Sequence, residues 1–205
     1  MEKSLLVVGC GGHGRVVADI AYECGHTRIA FLDDKPTELA RELAPVLGPT
    51  KMLEDLAGDW GAAIAAVGNN FLRLAFLERL HGAGFETPSI VHPSAVVSRK
   101  AHIGVGVVVA AGAVINVAAR IGDGVIVNTG ARVDHDCVVG RGSHLAPGAT
   151  LSGGVTVGDR AWLGTGCSVR QGVTIAADVM VGVGATVVSD LAAGKTYIGV
   201  PARAR

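Results

Sequence analysis

The sequence predicts a two-part fold, with a small α/β unit over residues 1–85 and a parallel β-helix over residues 94–190. Two observations lead to this prediction. Aliphatic residues recur at every sixth position through the second half, and a glycine-rich turn follows the first apolar run of the chain. Residues 86–93, with two prolines, are predicted to be a linker, and residues 191–205 a C-terminal tail.

The N-terminal unit begins with a short apolar strand from Leu5 to Val8, followed by the glycine-rich turn and a helical pattern from Arg15 to Cys24. Further strands are predicted at 28–32 and 62–67, and a further helix at 71–81. This alternation predicts a Rossmann-like β-α-β-α-β-α unit.

The turn contains Gly9, Gly11 and Gly14 in the GxGxxG spacing, which lets backbone N–H groups at a helix start face an anionic ligand. Asp33 ends the second strand, where the ribose-binding acid of a dinucleotide site would lie. An NAD-dependent reductase is therefore one interpretation. The other is a nucleotide-sugar site, which we favour because so short a unit lacks the second half of a full dinucleotide-binding sheet.

The second half repeats every six residues without a slip. The aliphatic positions are Val91, Val97, Ile103, Val109, Ile115, Ile121, Val127, Val133, Val139, Leu145, Leu151, Val157, Leu163, Val169, Ile175, Val181 and Val187. A period of six matches neither an α-helix nor one long alternating strand. A β-sandwich is the alternative, but its loops vary in length and would break the spacing.

A second constraint follows four residues after the aliphatic positions from Val91 to Val181, where every residue is small, as at Ala113, Cys137 and Ala161. We interpret the pattern as short strands joined by tight turns, with rungs stacked about 4.8 Å apart and the aliphatic side chains pointing inward. The interior is narrow, since Trp162 and Tyr197 are the only aromatic residues after Val91 and neither falls on the aliphatic spacing.

Composition limits the classes of function. Lys plus Arg and Asp plus Glu number 18 each, so a nucleic-acid partner is not expected. No apolar run reaches the about 20 residues of a membrane span, and no secretory signal is evident. The four cysteines form no CxxC pair, so we expect buried thiols in a cytoplasmic protein.

Several segments together resemble the NeuD/PglD-type sugar acyltransferases: VVGCGGHG, FLDD, VGNN, the hexads, DHDCVVGRGSH and YIGVPAR. The resemblance implies a left-handed β-helix with three sides per coil, and a homotrimer with active sites between subunits. It also implies acetyl-CoA-dependent N-acetylation of a UDP- or GDP-linked amino sugar. O-acetylation of a sialic acid or another sugar is the enzymatic alternative, and an oligomeric scaffold is the non-enzymatic one.

Residue by residue, the resemblance implies that His135 is the catalytic base and that Asp136 raises its basicity, although relatives often have Glu at the latter position. The implied acetyl-CoA contacts are His144, Gly153, Thr165 and Val183. The implied nucleotide-sugar contacts are Gly11, Gly12, His13, Asp33, Asp34 and Gly68. An imidazole with a pKa of about 6.5 suits proton abstraction from an attacking amine or hydroxyl.

Each of these residues also has a structural interpretation. Nothing in the repeat requires histidine at position 135, whereas Asp33 and Asp34 could simply end a strand in a turn. Zinc enzymes share the β-helix fold, but His135 and His144 lack a suitably spaced third histidine, so no metal site is predicted. Cys137 fits the small-residue position and is interpreted as packing.

Overall fold

The computed structural model describes residues 3–205, which divide into two compact units, one extending to Pro93 and the other from Ser94 to Arg205. The elements of the first unit are β1 (Ser4–Val8), α1 (Gly12–Glu23), β2 (Arg28–Leu32), α2 (Glu38–Leu43), β3 (Val46–Gly48), β4 (Ala63–Ala65), α3 (Asn70–Gly82) and β5 (Ile90–Val91). Two 3-10 turns, Thr50–Met52 and Glu54–Leu56, precede β4. Four parallel strands form a sheet in the order β3-β2-β1-β4.

The central strand β1 is an unbroken apolar run, as expected for a parallel strand covered on both faces. Leu5, Leu6, Val7 and Val8 are each 0% exposed. The core on one side of the sheet includes Leu6, Val8, Leu32, Leu53, Trp60, Phe76 and Leu80. These residues confirm the predicted α/β character of the unit.

Helix α1 begins earlier than the predicted Arg15, because the glycine-rich turn itself forms the first helical turn. The N–H of Arg15 donates to the carbonyl of Gly11 at 3.0 Å. The backbone of Gly12 and His13 therefore lies in the first turn, where N–H groups have no carbonyl partner within the helix. The helix ends at Glu23, and Gly25 follows with a φ of 80°, a common way to terminate a helix.

The segment between β2 and β4 contains a helix that the sequence did not locate and a strand that it did not predict. Helix α2 has only six residues, and β3 is a three-residue strand at the sheet edge with no fully buried side chain. Prolines at 36, 45 and 49 interrupt this segment, so no apolar periodicity marks either element. From β1 to α3 the observed order is β-α-β-α-β-β-α, in which β3 is the one strand more than predicted.

The second unit is built from two-residue strands. In chain order they are β6 (Val96–Val97), β7 (His102–Ile103), β8 (Val108–Val109), β9 (Val114–Ile115), β10 (Arg120–Ile121), β11 (Ile126–Val127), β12 (Arg132–Val133), β13 (Val138–Val139), β14 (His144–Leu145), β15 (Thr150–Leu151), β16 (Thr156–Val157), β17 (Trp162–Leu163), β18 (Ser168–Val169), β19 (Thr174–Ile175), β20 (Met180–Val181), β21 (Thr186–Val187), β22 (the three-residue Thr196–Ile198) and β23 (Arg203–Ala204).

These strands form three parallel ladders, one for each side of the coil. One ladder contains β7, β10, β13, β16 and β19, a second contains β6, β9, β12, β15, β18 and β21, and a third contains β8, β11, β14, β17 and β20. Within a ladder, partners are 18 residues apart, as in the pairing of Arg120 with His102 and Val138. This spacing confirms the predicted parallel β-helix, with three hexads per coil.

The aliphatic positions point into the coil as predicted. They are buried from Val109 through Val187, whereas Val91, Val97 and Ile103 are half-buried. The small-residue positions are also buried from Val107 through Ala185, so each hexad in that range contributes two side chains to the interior. Glycine or another residue with positive φ then occupies the tight turn, for example Gly154 at 69°.

The last coil departs from the repeat. Leu191 bridges to Ile175 and Tyr197 pairs with Val181, which makes the spacing 16 residues (191 − 175 and 197 − 181) instead of 18. Tyr197 therefore takes the inward position of the last rung, and only 8% of it is exposed. Strand β23 then pairs antiparallel with β22, so the segment 191–205 continues the ladder and folds back on it.

Candidate active site

His135 lies at a corner of the β-helix, in the turn between β12 and β13. Its backbone N–H donates to Oδ1 of Asp134 at 2.8 Å, and its carbonyl accepts from the N–H of Gly154 at 2.9 Å. The same Oδ1 of Asp134 accepts from Nδ2 of Asn116 at 2.8 Å. The turn that carries His135 is thus fixed to the coils on both sides of it.

The imidazole of His135 is exposed and is oriented by Asp136. Its Nδ1 lies 2.8 Å from Oδ2 of Asp136. This hydrogen bond, together with the negative charge of Asp134, raises the pKa of His135 above its ordinary value of 6.5. Because the carboxylate only accepts, Nδ1 carries a proton toward it, and in the neutral ring Nε2 has the lone pair that can take a proton.

Asp136 adopts a backbone conformation that glycine occupies in the next coils. Its φ is 60°, and the stacked residues Gly154 and Gly172 have φ values of 69° and 70°. A left-handed conformation costs an L-residue about 1–2 kcal/mol, although Asp tolerates it better than most. Asp136 provides the hydrogen bond to His135, which glycine could not.

Gly153 lies directly against the His135 ring. A Cβ at this position would be 2.5 Å from Cε1 and 2.6 Å from Nε2 of His135. Any side chain would therefore displace the imidazole. The position of the ring thus depends on a glycine one coil away, since 153 − 135 is 18 residues, the spacing of the ladders.

The other predicted acetyl-CoA contacts lie on a different edge of the β-helix. The N–H of Gly166 donates to the carbonyl of Pro147, and the N–H of Gly184 to that of Thr165, so Pro147, Thr165 and Val183 stack along one edge. Gly153, on the edge of His135, comes one hexad after Pro147. Six residues span at most about 20 Å when fully extended, which limits the distance between the two edges. Thr165 is exposed and Val183 is 74% exposed.

His144 lies on β14, next to the edge of Thr165 and Val183, because β14 leads directly into the turn that contains Pro147. Its Nδ1 lies 3.1 Å from Nε1 of Trp162, and its Nε2 lies 3.1 Å from Nδ2 of Asn128. One chain thus brings His135, Asp136 and Gly153 together on one edge, and Thr165 and Val183 on another, with His144 on the strand beside the second edge.

Gly14 of the glycine-rich turn differs in its environment from the three predicted nucleotide-sugar glycines, Gly11, Gly12 and Gly68. A Cβ on Gly14 would collide with the carbonyl of Gly9, so Gly14 allows the helix to pack closely on the turn. Apart from the adjacent residues and the backbone of its own helix, no atom of residues 3–205 lies within 4 Å of where a Cβ would be on Gly11, Gly12 or Gly68. The packing of the unit does not require glycine at these three positions, which leaves space for a ligand.

Asp33 and Asp34 bind the chain's own backbone. Asp33 accepts from the N–H groups of Cys10 at 2.7 Å and Lys35 at 2.8 Å, and Asp34 accepts from the N–H of Thr50 at 3.0 Å. Burial opposes ionisation of Asp33, but the two N–H donors outweigh it and lower its pKa. Asp33 therefore fixes the glycine-rich turn, whether or not it also contacts a ligand.

Arg73 is a buried cation that sequence reasoning missed. It is 1% exposed, and its guanidinium donates to the carbonyls of Val67 at 3.0 Å and Gly68 at 3.3 Å, and to Oδ1 of Asn70 at 2.8 Å. Burial lowers its pKa to about 10. Burial and the nearby charge of Arg73 lower the pKa of His13 to about 4, so His13 is neutral at pH 7.

Two buried cysteines are unsuited to act as nucleophiles. Burial raises the pKa of the Cys137 thiol, and that of Cys167 to about 12, which makes both poor nucleophiles.

Among residues 3–205, no group of three or more His, Cys, Asp or Glu side chains could hold a metal ion. In the same range, no helix is long and apolar enough to cross a bilayer.

Comparisons with known families match both units. Residues 4–80 match the family described as PglD N-terminal domain, and residues 118–153 match the family described as bacterial transferase hexapeptide (six repeats). A curated relative, the UDP-N-acetylbacillosamine N-acetyltransferase of Bacillus subtilis, is 40% identical over 112 residues. That alignment covers 53% of this chain, which spans about half of the relative's length, 52%.

Solved structures match over nearly the whole chain. The acetyltransferase domain of PglB from Neisseria gonorrhoeae is 41% identical with a TM-score of 0.94, and covers 99% of this chain and 100% of that domain. A second structure of the same domain contains acetyl coenzyme A. PerB from Caulobacter crescentus, in complex with CoA and GDP-perosamine, is 43% identical with a TM-score of 0.94, and covers 98% of this chain and 97% of PerB.

Proposed function

The chain belongs to the NeuD/PglD-type sugar acyltransferases, and on that premise we propose that it is an acetyl-CoA-dependent N-acetyltransferase acting on a nucleotide-linked amino sugar. The observation that carries the proposal is the exposed His135 imidazole, hydrogen-bonded at Nδ1 to Asp136 and packed on Gly153. The acetyltransferases among its relatives bind acetyl coenzyme A, or CoA with GDP-perosamine. Both observations favour direct transfer from a CoA thioester to a sugar amine.

In the proposed mechanism, Nε2 of His135 accepts a proton from the sugar amine as the amine attacks the thioester carbonyl. Asp136 holds the ring in the required tautomer and stabilises the imidazolium that forms. The N–H of Gly153 donates to the oxygen that becomes negative in the tetrahedral intermediate. His135 then returns the proton to the departing CoA sulfur, so no covalent enzyme intermediate is needed.

The glycine-rich turn is proposed to hold the nucleotide part of the substrate. Gly11, Gly12 and Gly68 leave space beside the first turn of α1, where helix N–H groups favour a phosphate. His13 is neutral at pH 7 and would contribute a hydrogen bond, not a positive charge. Asp33 and Asp34 are the other proposed contacts, and their backbone hydrogen bonds fix the turn on which they lie.

The experiment that tests this function measures CoA release from acetyl-CoA with a panel of acceptors. We expect turnover with a UDP- or GDP-linked amino sugar and not with the corresponding sugar that has hydroxyl in place of the amine. Turnover with sialic acid or another hydroxyl acceptor alone would establish O-acetylation instead. Absence of turnover together with absence of acetyl-CoA binding would favour a scaffold role.

We further propose that the active enzyme is a homotrimer whose sites combine edges from two subunits. One chain places His135 and Gly153 on one edge and Thr165 and Val183 on another, so a second copy is needed to bring both groups to one thioester. Sedimentation velocity should give the mass of three chains of 20.7 kDa. An active monomer would contradict the shared site.

We also propose a cytoplasmic location, since Cys10, Cys24, Cys137 and Cys167 are free thiols that suit a reducing compartment.

The pH dependence of kcat/KM should show the effect of the hydrogen bond between Asp136 and His135. The base must be neutral, so activity is present above the pKa of His135 and is lost as the pH falls through it. Asp136 raises that pKa. In Asp136→Asn we therefore expect the acid limb of the kcat/KM profile to move to lower pH, with a lower plateau because the ring is held less firmly.

The matched control for this prediction is Asp55→Asn, which removes a carboxylate from an exposed position in the other unit. Its profile should overlay that of the wild type. An acid limb that stays in place in Asp136→Asn would show that Asp136 does not tune His135.

A further inference from the structure

His144 and Trp162 face each other across neighbouring strands of one side of the β-helix. They are register partners in β14 and β17, and both are half-buried. The indole Nε1 lies 3.1 Å from Nδ1 of His144, and the two rings meet edge-on, with centroids 6.1 Å apart and an interplanar angle of 60°. The indole therefore contacts one particular nitrogen of the imidazole.

The chemistry of the two rings determines which nitrogen of His144 carries the proton. An indole N–H can only donate, so Nδ1 of His144 must accept. A neutral imidazole has one N–H, which then lies on Nε2. The Asn128 amide places Nδ2 3.1 Å from Nε2, while its Oδ1 accepts from the N–H of Thr129 at 2.8 Å, so this tautomer requires the amide to turn and release Thr129. An amide can turn in this way, whereas an indole N–H can only donate, and we therefore take the indole contact as the one that decides the tautomer.

The two site histidines are consequently in opposite tautomers. His135 carries its proton on Nδ1, toward Asp136, and has its lone pair on Nε2. His144 has its lone pair on Nδ1, toward Trp162, and carries its proton on Nε2. The first arrangement suits a base, whereas the second suits a hydrogen-bond donor.

We propose that Trp162 is a positioning residue that holds His144 in its Nε2–H tautomer, so that His144 acts on the bound acyl donor as a hydrogen-bond donor and not as a second base. The inference rests on the proposed function, in which His144 contacts acetyl-CoA. It adds a residue, Trp162, that acts through His144 and needs no contact with the substrate itself.

Kinetics of Trp162→Phe test this dependence. Phenylalanine keeps an aromatic ring on β17 but removes the N–H. We expect kcat/KM for acetyl-CoA to fall about 3- to 10-fold, as for the loss of one hydrogen bond, with the KM of the amino sugar unchanged. In a His144→Ala background the same substitution should change kcat/KM by less than about twofold, because a residue that acts through His144 has nothing left to position.

Nitrogen NMR of the protein with ¹⁵N-labelled histidine provides a readout that does not depend on activity. In the wild type, His144 should show an unprotonated Nδ1 and a protonated Nε2. In Trp162→Phe, the two nitrogen shifts should move toward those of a mixture of tautomers. His144→Ala identifies which signals belong to His144.

The outcomes separate this inference from the proposed function. A wild-type protein that acetylates no amino sugar contradicts the function, whereas the NMR result still tests the tautomer. A protonated Nδ1 in the wild type, or nitrogen shifts of His144 that are the same in Trp162→Phe, would overturn the inference. An equal loss of kcat/KM from Trp162→Phe with and without His144 would overturn it as well, because Trp162 would then act independently.

Discussion

Replacing His135 with alanine is expected to lower kcat by at least about 100-fold, the lower end of the effect of removing a general base. The reason is local. The imidazole is exposed at a corner, and its hydrogen-bond partner Asp136 is itself exposed, so truncation removes the proton acceptor without opening a cavity. Circular dichroism and sedimentation should therefore match the wild type while acetyl transfer, followed by CoA release, is lost.

His102→Ala is the matched control for this prediction, since His102 is also an exposed histidine of the β-helix, on β7. Its kcat should equal that of the wild type. A His135→Ala variant with near wild-type turnover would refute the assignment of His135 as the base, whatever the substrate.

Gly153→Ala is expected to have the second-largest effect, a loss of about 10- to 100-fold in kcat, because a misplacement of about 1 Å at a catalytic group has consequences of that order. The added methyl would lie 2.5 Å from Cε1 and 2.6 Å from Nε2 of His135. The imidazole must therefore turn away, and its bond to Asp136 must break or bend. The expected signature is a low kcat in a protein whose thermal unfolding is close to that of the wild type.

Gly82→Ala is the matched control, since it adds the same methyl where, apart from the backbone of its own helix and the adjacent residues, no atom of the described chain lies within 4 Å. Gly82 ends α3, so we expect unchanged kcat. If Gly153→Ala retained full activity, the close packing of the ring on Gly153 would not be what holds the base in place.

The sequence was sufficient to predict the β-helix because its repeat is uninterrupted. An aliphatic residue at every sixth position fits neither a helix nor strands joined by loops of variable length, and the burial of Val109 through Val187 confirms that these side chains point inward. The family resemblance is also confirmed. The sequence was less informative between β2 and β4, where α2 and β3 are too short to produce periodicity.

The three-dimensional grouping of the site residues could not be predicted from the hexads alone. Because 18 residues make one coil, residues that are 18 positions apart stack on the same edge. His135 and Gly153 therefore lie on one edge, and Pro147, Thr165 and Val183 on another. Arg73 had no such signal, because a buried cation on a helix looks like any exposed one in sequence. The individual roles of the site residues stay predictions.

A structure of the wild-type protein with CoA and a nucleotide amino sugar tests the central claim most directly. We predict that the sugar amine lies within about 2.6–3.2 Å of Nε2 of His135, as a base requires, with the CoA sulfur beside the same amine. An amine bound away from His135, or a CoA sulfur that no sugar nitrogen at Nε2 could reach, would contradict the account.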